Sequence, residues 1–237
     1  MDCPEAVILK IDIDVPEYVR EIAGKLVDSG YQAYVVGGAV RDSLIGRTPS
    51  DWDISSSATP REVEKIFGDR AIPTGERFGT MTVLSKDHAV EVTTFRCESR
   101  YSDGRRPDMV IFSESLRDDV ARRDFTINAL AYDIGQGTVT DYFGGMNDLK
   151  EMTIRTVGKP RERFTEDSLR MLRAIRFAVE LGFGISPETL CGIAKLHSTI
   201  RRVSPERIQD ELSKMLLSTR PGRAMEYSHE THLLDHI

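Results

Sequence analysis

Two aspartates separated by one residue, Asp51 and Asp53, are the first residues of this sequence whose types and spacing suggest a reaction. If the segment around them is a β-strand, both carboxylates leave the same face, because side chains alternate along a strand. Two such carboxylates repel each other unless a cation lies between them, and hard oxygen ligands suit Mg²⁺. Glu91 adds a third carboxylate if its own alternating segment lies beside the first. Three carboxylates that hold two metal ions are typical of in-line attack on a phosphate.

A pair of glycines upstream, Gly37 and Gly38, favours phosphate chemistry at this place. They end an apolar run and precede a helical segment, whose first backbone amides would face outward as an anion site. Arg41 lies one helical turn further on, where it reaches a phosphate or a ribose. The combination matters because Asp-x-Asp alone is a weak signal, and the sequence contains another at Asp12 and Asp14 without such surroundings. A tight strand-to-helix turn without a ligand is the alternative interpretation of the glycines.

Local signals predict the elements that position these residues. Capping residues, such as Thr59 and Pro60 before an amphipathic run and Gly68 after it, mark the helices. Alternating or continuous apolar runs mark the strands. The predicted helices of the first half are 15–30, 39–46, 59–68 and 115–133, and its predicted strands are 32–38, 50–57, 79–85, 89–96 and the start of 137–145. The polar, glycine-containing residues 98–115 are predicted to form a mobile loop before the next element.

The pattern changes near residue 150. Three capped helical segments follow one another, over 166–183, 186–200 and 204–219. Strands in one half and helices in the other indicate the α+β class with two subdomains. We therefore expect a head with a small mixed β-sheet over residues 1–150 and an all-helical neck over 151–237.

Bulk composition sets the class of protein. The chain has 237 residues, 40% of them hydrophobic, and a net charge of −6, so bulk positive charge does not drive nucleic-acid binding. The three cysteines, Cys3, Cys97 and Cys191, lack metal-ligand spacing and indicate free thiols in a reducing compartment. Because no apolar run reaches the roughly 18 residues that a membrane span needs, we expect a cytoplasmic protein without a membrane partner.

Five ordered segments carry a resemblance to a known family. Residues 37–53, "GGAVRDSLIGRTPSDWD", resemble the active-site signature of class II nucleotidyltransferases, the family of tRNA nucleotidyltransferases (CCA-adding enzymes) and bacterial poly(A) polymerases. The further matching segments, in order, are 122–130, 141–158, 166–178 and 201–212. The resemblance spans about residues 34–212, most of the chain.

The resemblance implies a five-stranded nucleotidyltransferase sheet that carries Asp51 and Asp53, and a helical neck that recognises the base. It implies catalytic, metal-binding roles for both aspartates, and Glu91 is the third candidate catalytic residue on the strand argument given above. Arg123 would hold the triphosphate or the ribose, and Asp167 would help to recognise the base. The whole implied nucleotide-binding set is Gly37, Gly38, Arg41, Arg123, Asp124, Asn128, Asp167, Arg170, Arg173 and Arg176.

Spacing in the neck agrees with a ligand-binding face. Positions 166, 170 and 173 follow one helical stripe, and 167, 170 and 173 share a face. Residues 155–176 hold seven Arg or Lys against three acids, which gives a local charge of +4 in an acidic protein. A solvated, salt-bridged helix is the alternative explanation. Arg176, beside Phe177, is equally consistent with a structural role.

The predicted activity is template-independent addition of CMP and AMP to the 3′ end of tRNA. The 3′-hydroxyl would attack the α-phosphate of CTP or ATP at a two-Mg²⁺ site. Residues 73–84 resemble the CCA-adding version of the family rather than the poly(A) version. A poly(A) polymerase, a CC-only or an A-only enzyme, and a non-catalytic nucleotide- or RNA-binding module remain alternatives. We also expect loop 98–108, with Arg100, Arg105 and Arg106, to reshape the pocket between additions.

Two expectations concern the end of the sequence. Members of the family continue beyond the neck into helical body and tail regions that grip tRNA, so we expect residues 151–237 to include only the start of a body. A separate chain would then be a partner that supplies the rest. His229, His232 and His236 have spacings that suit a metal on one helical face, with a frayed, solvated terminus as the alternative favoured here.

Overall fold

The computed structural model describes residues 5–99 and 109–237, which form two units. The first unit comprises residues 5–99, 109–123 and 128–145, and the second comprises residues 124–127 and 146–237. The strands are β1 (Val7–Lys10), β2 (Ala33–Val36), β3 (Asp53–Ser56), β4 (Ala71–Gly75), β5 (Thr80–Ser85), β6 (His88–Thr94), β7 (Arg96–Ser99), β8 (Met109–Phe112), β9 (Leu130–Asp133), β10 (Thr138–Asp141), β11 (Thr153–Ile154) and β12 (Gly184–Ile185). The α-helices are α1 (Glu17–Asp28), α2 (Gly38–Leu44), α3 (Pro60–Phe67), α4 (Leu116–Ala121), α5 (Gly145–Lys150), α6 (Pro160–Glu166), α7 (Leu169–Leu181), α8 (Pro187–Leu196), α9 (Pro205–Leu216) and α10 (Pro221–Glu230).

The first unit is built on one mixed sheet with the strand order β1-β10-β9-β2-β3-β6-β5-β4. Only β3 and β6 pair in parallel; the other neighbours are antiparallel. The predicted α+β class with a mixed sheet is confirmed. The five strands that the resemblance implied were too few, since this sheet has eight. Edge strand β1 escaped prediction because all four of its residues are exposed and show no alternation.

Helices with strong local signals lie where the sequence placed them. α1 follows Pro16 and buries the stripe Val19, Ile22, Ala23 and Leu26. α3 starts after Thr59, which forms a reciprocal capping box with Glu62. Such caps satisfy amide groups that the first helical turn leaves unpaired, so they fix a helix start locally.

The helix predicted over 115–133 is wrong beyond Ala121, where α4 ends. Residues Leu130–Asp133 form β9 instead, between β10 and β2. Leu130, Ala131 and Tyr132 are all buried, as expected for an interior strand covered on both faces. A strand of this kind lacks the period-two alternation, so its apolar run could not be distinguished from a helix by periodicity.

The loop predicted over 98–115 is also partly wrong. Residues Met109–Phe112 form β8, which pairs antiparallel with β7, so that Arg96 lies opposite Phe112. Residues 100–108, including Arg100, Arg105 and Arg106, lie outside the described residues. The proposed reshaping of the pocket by this loop therefore stays a prediction.

The second unit is mainly helical, with α7 packed against α9 and α10. A short parallel pair, β11 and β12, means that residues 151–237 are not all helical as predicted. The helix predicted over 166–183 is interrupted, because α6 ends at Glu166 and α7 begins at Leu169. Asp167 adopts an extended conformation, and its side chain accepts a hydrogen bond from the Leu169 amide at 3.0 Å. Asp167 thus lies between α6 and α7, and its side chain satisfies the first backbone amide of α7.

The residues after α10 fold back onto the second unit instead of fraying, although His229 and His232 are exposed, in agreement with the solvated alternative. After α10, His236 Nε2 lies 2.7 Å from His197 Nδ1, and the two rings stack at 4.7 Å between centroids. Over residues 5–99 and 109–237, no three His, Cys, Asp or Glu side chains are arranged to hold a metal ion, so the suggested histidine site finds no support there. Within the same residues, no helix has the length and apolar character needed to cross a membrane.

Candidate functional site

The sheet of the first unit brings the predicted carboxylates to one cavity. Asp53, the first residue of β3, is the register partner of Glu91 on the parallel strand β6. Partners in neighbouring strands project on the same face, so the two carboxylates are neighbours. Asp51 precedes β3 and is exposed, which corrects the prediction that it lies on the strand. A cavity of about 400 Å³ is lined by Asp51, Trp52, Asp53, Thr82, Ala89 and Glu91.

The electrostatics of this cavity centre on Asp53. Burial, followed by the negative charges of Glu91 and Asp51, raises the pKa of Asp53 from 3.8 to about 6. The charge of Arg123 acts in the opposite direction and holds the pKa down. Because the pKa of Asp53 is raised towards neutral pH, a cation that enters the cavity would stabilise the ionised form of this carboxylate.

The donor set of this cavity fits a hard divalent cation. Asp51, Asp53 and Glu91 offer only oxygen ligands, and their mutual repulsion is relieved when a cation binds. As positioned in the described part of the chain, they do not form a complete three-ligand cage. A phosphate or water oxygen would therefore complete the coordination of a bound metal.

The turn between β2 and α2 carries the predicted glycines. Gly37 has φ 75° and ψ −137°, a conformation that side chains rarely adopt. A Cβ atom at Gly37 would lie 3.0 Å from Nη1 of Arg123. Gly38 then begins the seven-residue helix α2. The glycine at position 37 thus leaves room for the Arg123 guanidinium against the turn.

Arg41 is buried within the first unit rather than extended into solvent. Its Nε and Nη2 donate to the two carboxylate oxygens of Asp42, each at 2.8 Å. Its Nη1 donates to Oδ1 of Asn128 at 2.7 Å. The predicted residues Arg41 and Asn128, 87 positions apart, are therefore brought into direct contact. In this arrangement Arg41 is tied to both Asp42 and Asn128 within the first unit.

A buried aspartate that the sequence analysis missed anchors Arg123. The carboxylate of Asp119, on α4, accepts hydrogen bonds from Arg122, Arg123 and the Ser55 hydroxyl. Burial would raise the pKa of Asp119, but the charges of Arg122 and Arg123 hold it below its ordinary value. The i, i+3 and i, i+4 spacing of these three residues was the available signal.

In the second unit, the predicted residues around the start of α7 form ion pairs with residues of opposite charge. Arg170 donates to Glu166 at 2.7 Å. Asp167 accepts a hydrogen bond from Nη2 of Arg207 at 2.9 Å. Arg207 lies in the matched segment 201–212, to which the sequence analysis assigned no residue role. The contact spans 40 positions, so no local pattern could have revealed it.

Two further arginines of α7 are also paired. Arg173 donates from Nε and Nη2 to one oxygen of Asp124, at 2.9 and 2.6 Å. Burial would lower the pKa of Arg173, but Asp124 and, more weakly, Glu211 raise it. Arg176 is buried, donates to Glu211 at 2.5 Å, and its guanidinium lies 4.1 Å from the Phe177 ring centroid. The positive charge of this helix is thus largely compensated by ion pairs, but the helix is mostly buried and not solvated as that alternative supposed.

A larger cavity of the second unit contains none of the predicted site residues. Its volume is about 570 Å³, and it lies between α6 and α8. Its lining residues are Lys159, Pro160, Arg161, Glu188, Cys191, Gly192, Lys195 and Leu196. Size alone therefore does not identify the reactive site of this molecule.

Comparison with known families assigns the chain to a class. The family described as the poly A polymerase head domain matches residues 33–155, slightly more than half of the chain. The family described as the probable RNA and SrmB-binding site of polymerase A matches residues 182–237. The chain therefore belongs to the poly A polymerase head-domain family of nucleotidyltransferases.

Individual relatives are more specific than the family description. The chain is 49% identical over 212 residues to the CCA-adding enzyme of Bacillus subtilis (strain 168), covering 90% of this chain and 53% of that protein. It is 50% identical over 199 residues to the CCA-adding enzyme of Enterococcus faecalis, covering 84% and 48%. The chain spans about half the length of the curated relatives it matches.

Solved structures show the same fold. A crystal structure of the Bacillus stearothermophilus CCA-adding enzyme in complex with CTP superposes with a TM-score of 0.84 at 42% identity, covering 92% of this chain and 52% of that chain. A Thermotoga maritima CCA-adding enzyme complexed with tRNA superposes with a TM-score of 0.79 at 26% identity, covering 96% and 53%.

Proposed function

We propose that this chain is the nucleotide-transfer part of an enzyme that adds CMP and AMP to the 3′ end of tRNA. The observation that carries the proposal is the parallel register of Asp53 and Glu91, which places their carboxylates in one cavity with Asp51. Clustered carboxylates cost stability through their mutual repulsion and give a binding module no benefit, whereas a metal-dependent transferase requires them as ligands of its metal ions. The relatives named CCA-adding enzymes support this activity over the other members of the family.

Membership of this family implies a divalent metal, and we propose two Mg²⁺ ions held by Asp51 and Asp53. When bound, such a pair activates the attacking 3′-hydroxyl and neutralises the leaving phosphates. Glu91 would add negative charge and orient the ligand set. Arg123, beside the Gly37 turn, would offset charge on the triphosphate of CTP or ATP.

Base selection is proposed to reside in the second unit. Asp167 and Arg170 offer complementary hydrogen-bonding edges, and Arg207 and Glu166 hold them in place. Asp124 and Arg173 already form an ion pair with each other, so we propose that they shape this site or exchange partners when a nucleotide binds. Gly38, Arg41 and Asn128 would support the phosphate-binding turn from the first unit.

The test is nucleotide incorporation with defined acceptors. The chain is incubated with Mg²⁺, labelled CTP or ATP singly and together, and tRNAs that end before the first C, before the second C or before the A. Stepwise addition of C, C and A that disappears in Asp53→Ala supports the proposal. Long tails made from ATP alone would indicate a poly(A) polymerase, and addition confined to C or to A would indicate a CC-only or an A-only enzyme.

Binding measured in the same samples separates transfer from recognition. Saturable binding of CTP and ATP without incorporation would mean that a further region, on this or a separate chain, is needed to hold the tRNA. If nucleotides still bind without being incorporated after the tRNA-binding region of a full-length relative is added, the chain is a non-catalytic nucleotide-binding module. Absence of both binding and incorporation would overturn the proposal.

A further inference from the structure

In the described part of the chain, Arg123 contacts one fully buried carboxylate, that of Asp119. Asp119 has no exposed surface, and it lies on α4 behind strand β3. Its Oδ2 atom accepts the Ser55 hydroxyl at 2.8 Å and Nη2 of Arg123 at 3.5 Å. Ser55 also accepts a hydrogen bond from Nη2 of Arg123 at 3.3 Å. Since Ser55 follows Asp53 by two residues on β3, the same strand carries a reactive carboxylate and a support for the arginine.

Two arginines share this one carboxylate, and the sharing is unequal. Arg122 donates from Nε and Nη2 to Oδ1 of Asp119, at 3.0 and 2.8 Å. Arg123 makes only the longer contact through Nη2. Asp119 thus holds Arg122 more closely than Arg123, the arginine beside the carboxylate cavity.

The rest of the Arg123 guanidinium is held but not fully satisfied. Its Nε atom is buried without a hydrogen-bond partner. Its Nη1 atom lies against the turn at Gly37, where a Cβ would come within 3.0 Å. A buried N–H group without a partner is costly and suggests that a ligand completes the arrangement. The available groups, a guanidinium with spare donors beside a glycine turn, suit phosphate oxygens.

We propose that Asp119 is a positioning residue that fixes Arg123, through Nη2 and the Ser55 hydroxyl, in the orientation needed to bind the triphosphate of the incoming nucleotide. The inference rests on the proposed function of this chain as a nucleotidyltransferase. Arginine has a long and flexible side chain, so fixing its fork before binding removes part of the entropic cost of ordering it. Asp119 touches neither nucleotide nor metal and acts only through Arg123.

A purely structural role for Asp119 makes a different prediction. A buried ion pair that only stabilises the fold would affect all ligands equally, through the fraction of folded protein. A positioning role affects only the ligand groups that Arg123 contacts. The β- and γ-phosphates are present in CTP and absent from CMP, so the ratio of the two affinities isolates that contact.

The experiment compares the affinities of the 237-residue chain for CTP and CMP, by isothermal titration in Mg²⁺. Asp119→Asn keeps the shape of the side chain and removes its charge. We expect CTP affinity to fall about tenfold and CMP affinity to change less than about twofold. Asp148→Asn is the matched control, because Asp148 is also buried and pairs with Arg155 and Thr126 in the second unit. That variant should lower the melting temperature and keep the wild-type ratio of affinities.

The outcomes separate this inference from the proposed function. A folded Asp119→Asn protein with the wild-type CTP-to-CMP ratio overturns the positioning role. If that variant does not fold, Ser55→Ala, which removes a single hydroxyl, is measured instead and should also reduce the ratio. Wild-type protein that binds CTP no better than CMP would contradict the proposed function itself, before any variant is considered.

Discussion

Asp53 on β3 and Glu91 on β6 are direct partners in the one parallel strand pair of the eight-stranded sheet. Burial of Asp53, and then the negative charge of the exposed Glu91 that this register places on the same face, both disfavour the ionised form of Asp53. The pKa of Asp53 accordingly rises to about 6. The first unit therefore carries an unfavourable electrostatic arrangement at this position, which a bound cation would relieve.

Asp53→Asn should stabilise the chain at neutral pH when metal is removed by EDTA. Because the folded-state pKa of about 6 lies above the ordinary 3.8, the folded protein retains a proton that the unfolded chain has lost between these pH values. The wild-type free energy of unfolding should thus fall as pH rises from about 4 to about 6 and stay low above that. The difference of roughly two pKa units sets an upper bound of about 3 kcal/mol.

Urea unfolding at pH 4 and pH 7.5 checks this prediction. The asparagine variant should exceed wild type in stability at pH 7.5 by about 1–3 kcal/mol and match it more closely at pH 4. Incorporation of nucleotide should be lost in the same variant. A stability difference that does not depend on pH would show that the repulsion at Asp53 is not its cause.

The carboxylate pair was predictable from the sequence, whereas the partners of the arginines were not. Strand alternation and the glycine pair are local signals, and they selected Asp51, Asp53 and Glu91, which line one cavity although Asp51 precedes β3. Thr59 likewise fixed the start of α3 through its cap. Arg207, which contacts Asp167 across 40 positions, emerges only once α9 has packed against α7. Local sequence patterns contain no information on such contacts.

The errors in element assignment have a similar cause. The interior strand β9 has consecutive apolar residues, because both of its faces are buried and strands pair with both of its edges. Its sequence is consistent with a helix or a strand, and its position between β10 and β2 in the sheet determines that it forms a strand. At the break between α6 and α7, the Asp167 side chain accepts a hydrogen bond from the Leu169 amide. The helical periodicity of the sequence continues across this break and does not reveal it.

Gly37→Ala should weaken CTP binding in addition to reducing stability. The backbone at Gly37 has a φ of 75°, so any side chain introduces strain of about 1–3 kcal/mol. Its new Cβ would also press on Nη1 of Arg123 at 3.0 Å. We expect the arginine to shift and CTP affinity, measured by isothermal titration, to fall about tenfold.

Gly46→Ala is the matched control for the glycine at position 37. Gly46 has a similar φ of 72°, and a Cβ there would meet no atom within 4 Å. Both alanine variants should therefore unfold at lower temperature, but only the one at position 37 should bind CTP more weakly. Equal losses of CTP affinity in the two variants would attribute the effect to general destabilisation.

Arg207→Gln should reduce discrimination between CTP and UTP. Arg207 holds the carboxylate of Asp167 at 2.9 Å, and Asp167 is proposed to contact the base. Without that anchor the carboxylate gains freedom, so the ratio of CTP to UTP affinities should fall about tenfold, equivalent to about 1.4 kcal/mol. Equilibrium binding of the four nucleoside triphosphates provides the measurement.

Arg223→Gln provides the comparison for the Arg207 variant. Arg223 pairs with Glu226 on the exposed face of α10, and exposed pairs contribute little to stability. It should leave all four affinities unchanged. If Arg207→Gln also leaves the CTP-to-UTP ratio at its wild-type value, Asp167 does not depend on Arg207 for base selection.

Glu211→Ala should be strongly destabilising, because it leaves the buried guanidinium of Arg176 without its closest carboxylate. Arg176 also contacts Glu180 at 2.7 Å, so we expect a loss near the lower end of the roughly 3–5 kcal/mol found when one partner of a buried pair is removed. Replacing both partners, as Arg176→Met with Glu211→Leu, should restore much of the stability, because no buried charge then lacks a partner. Urea unfolding of the three proteins measures this.

CTP binding by the double variant decides the role of Arg176. The resemblance to the family places Arg176 in the nucleotide-binding set, but its contacts are Glu211, Glu180 and the ring of Phe177. These contacts satisfy the guanidinium within the second unit and favour a structural role. A folded double variant should therefore bind CTP with wild-type affinity, and a large loss of affinity at unchanged stability would place Arg176 in contact with the nucleotide.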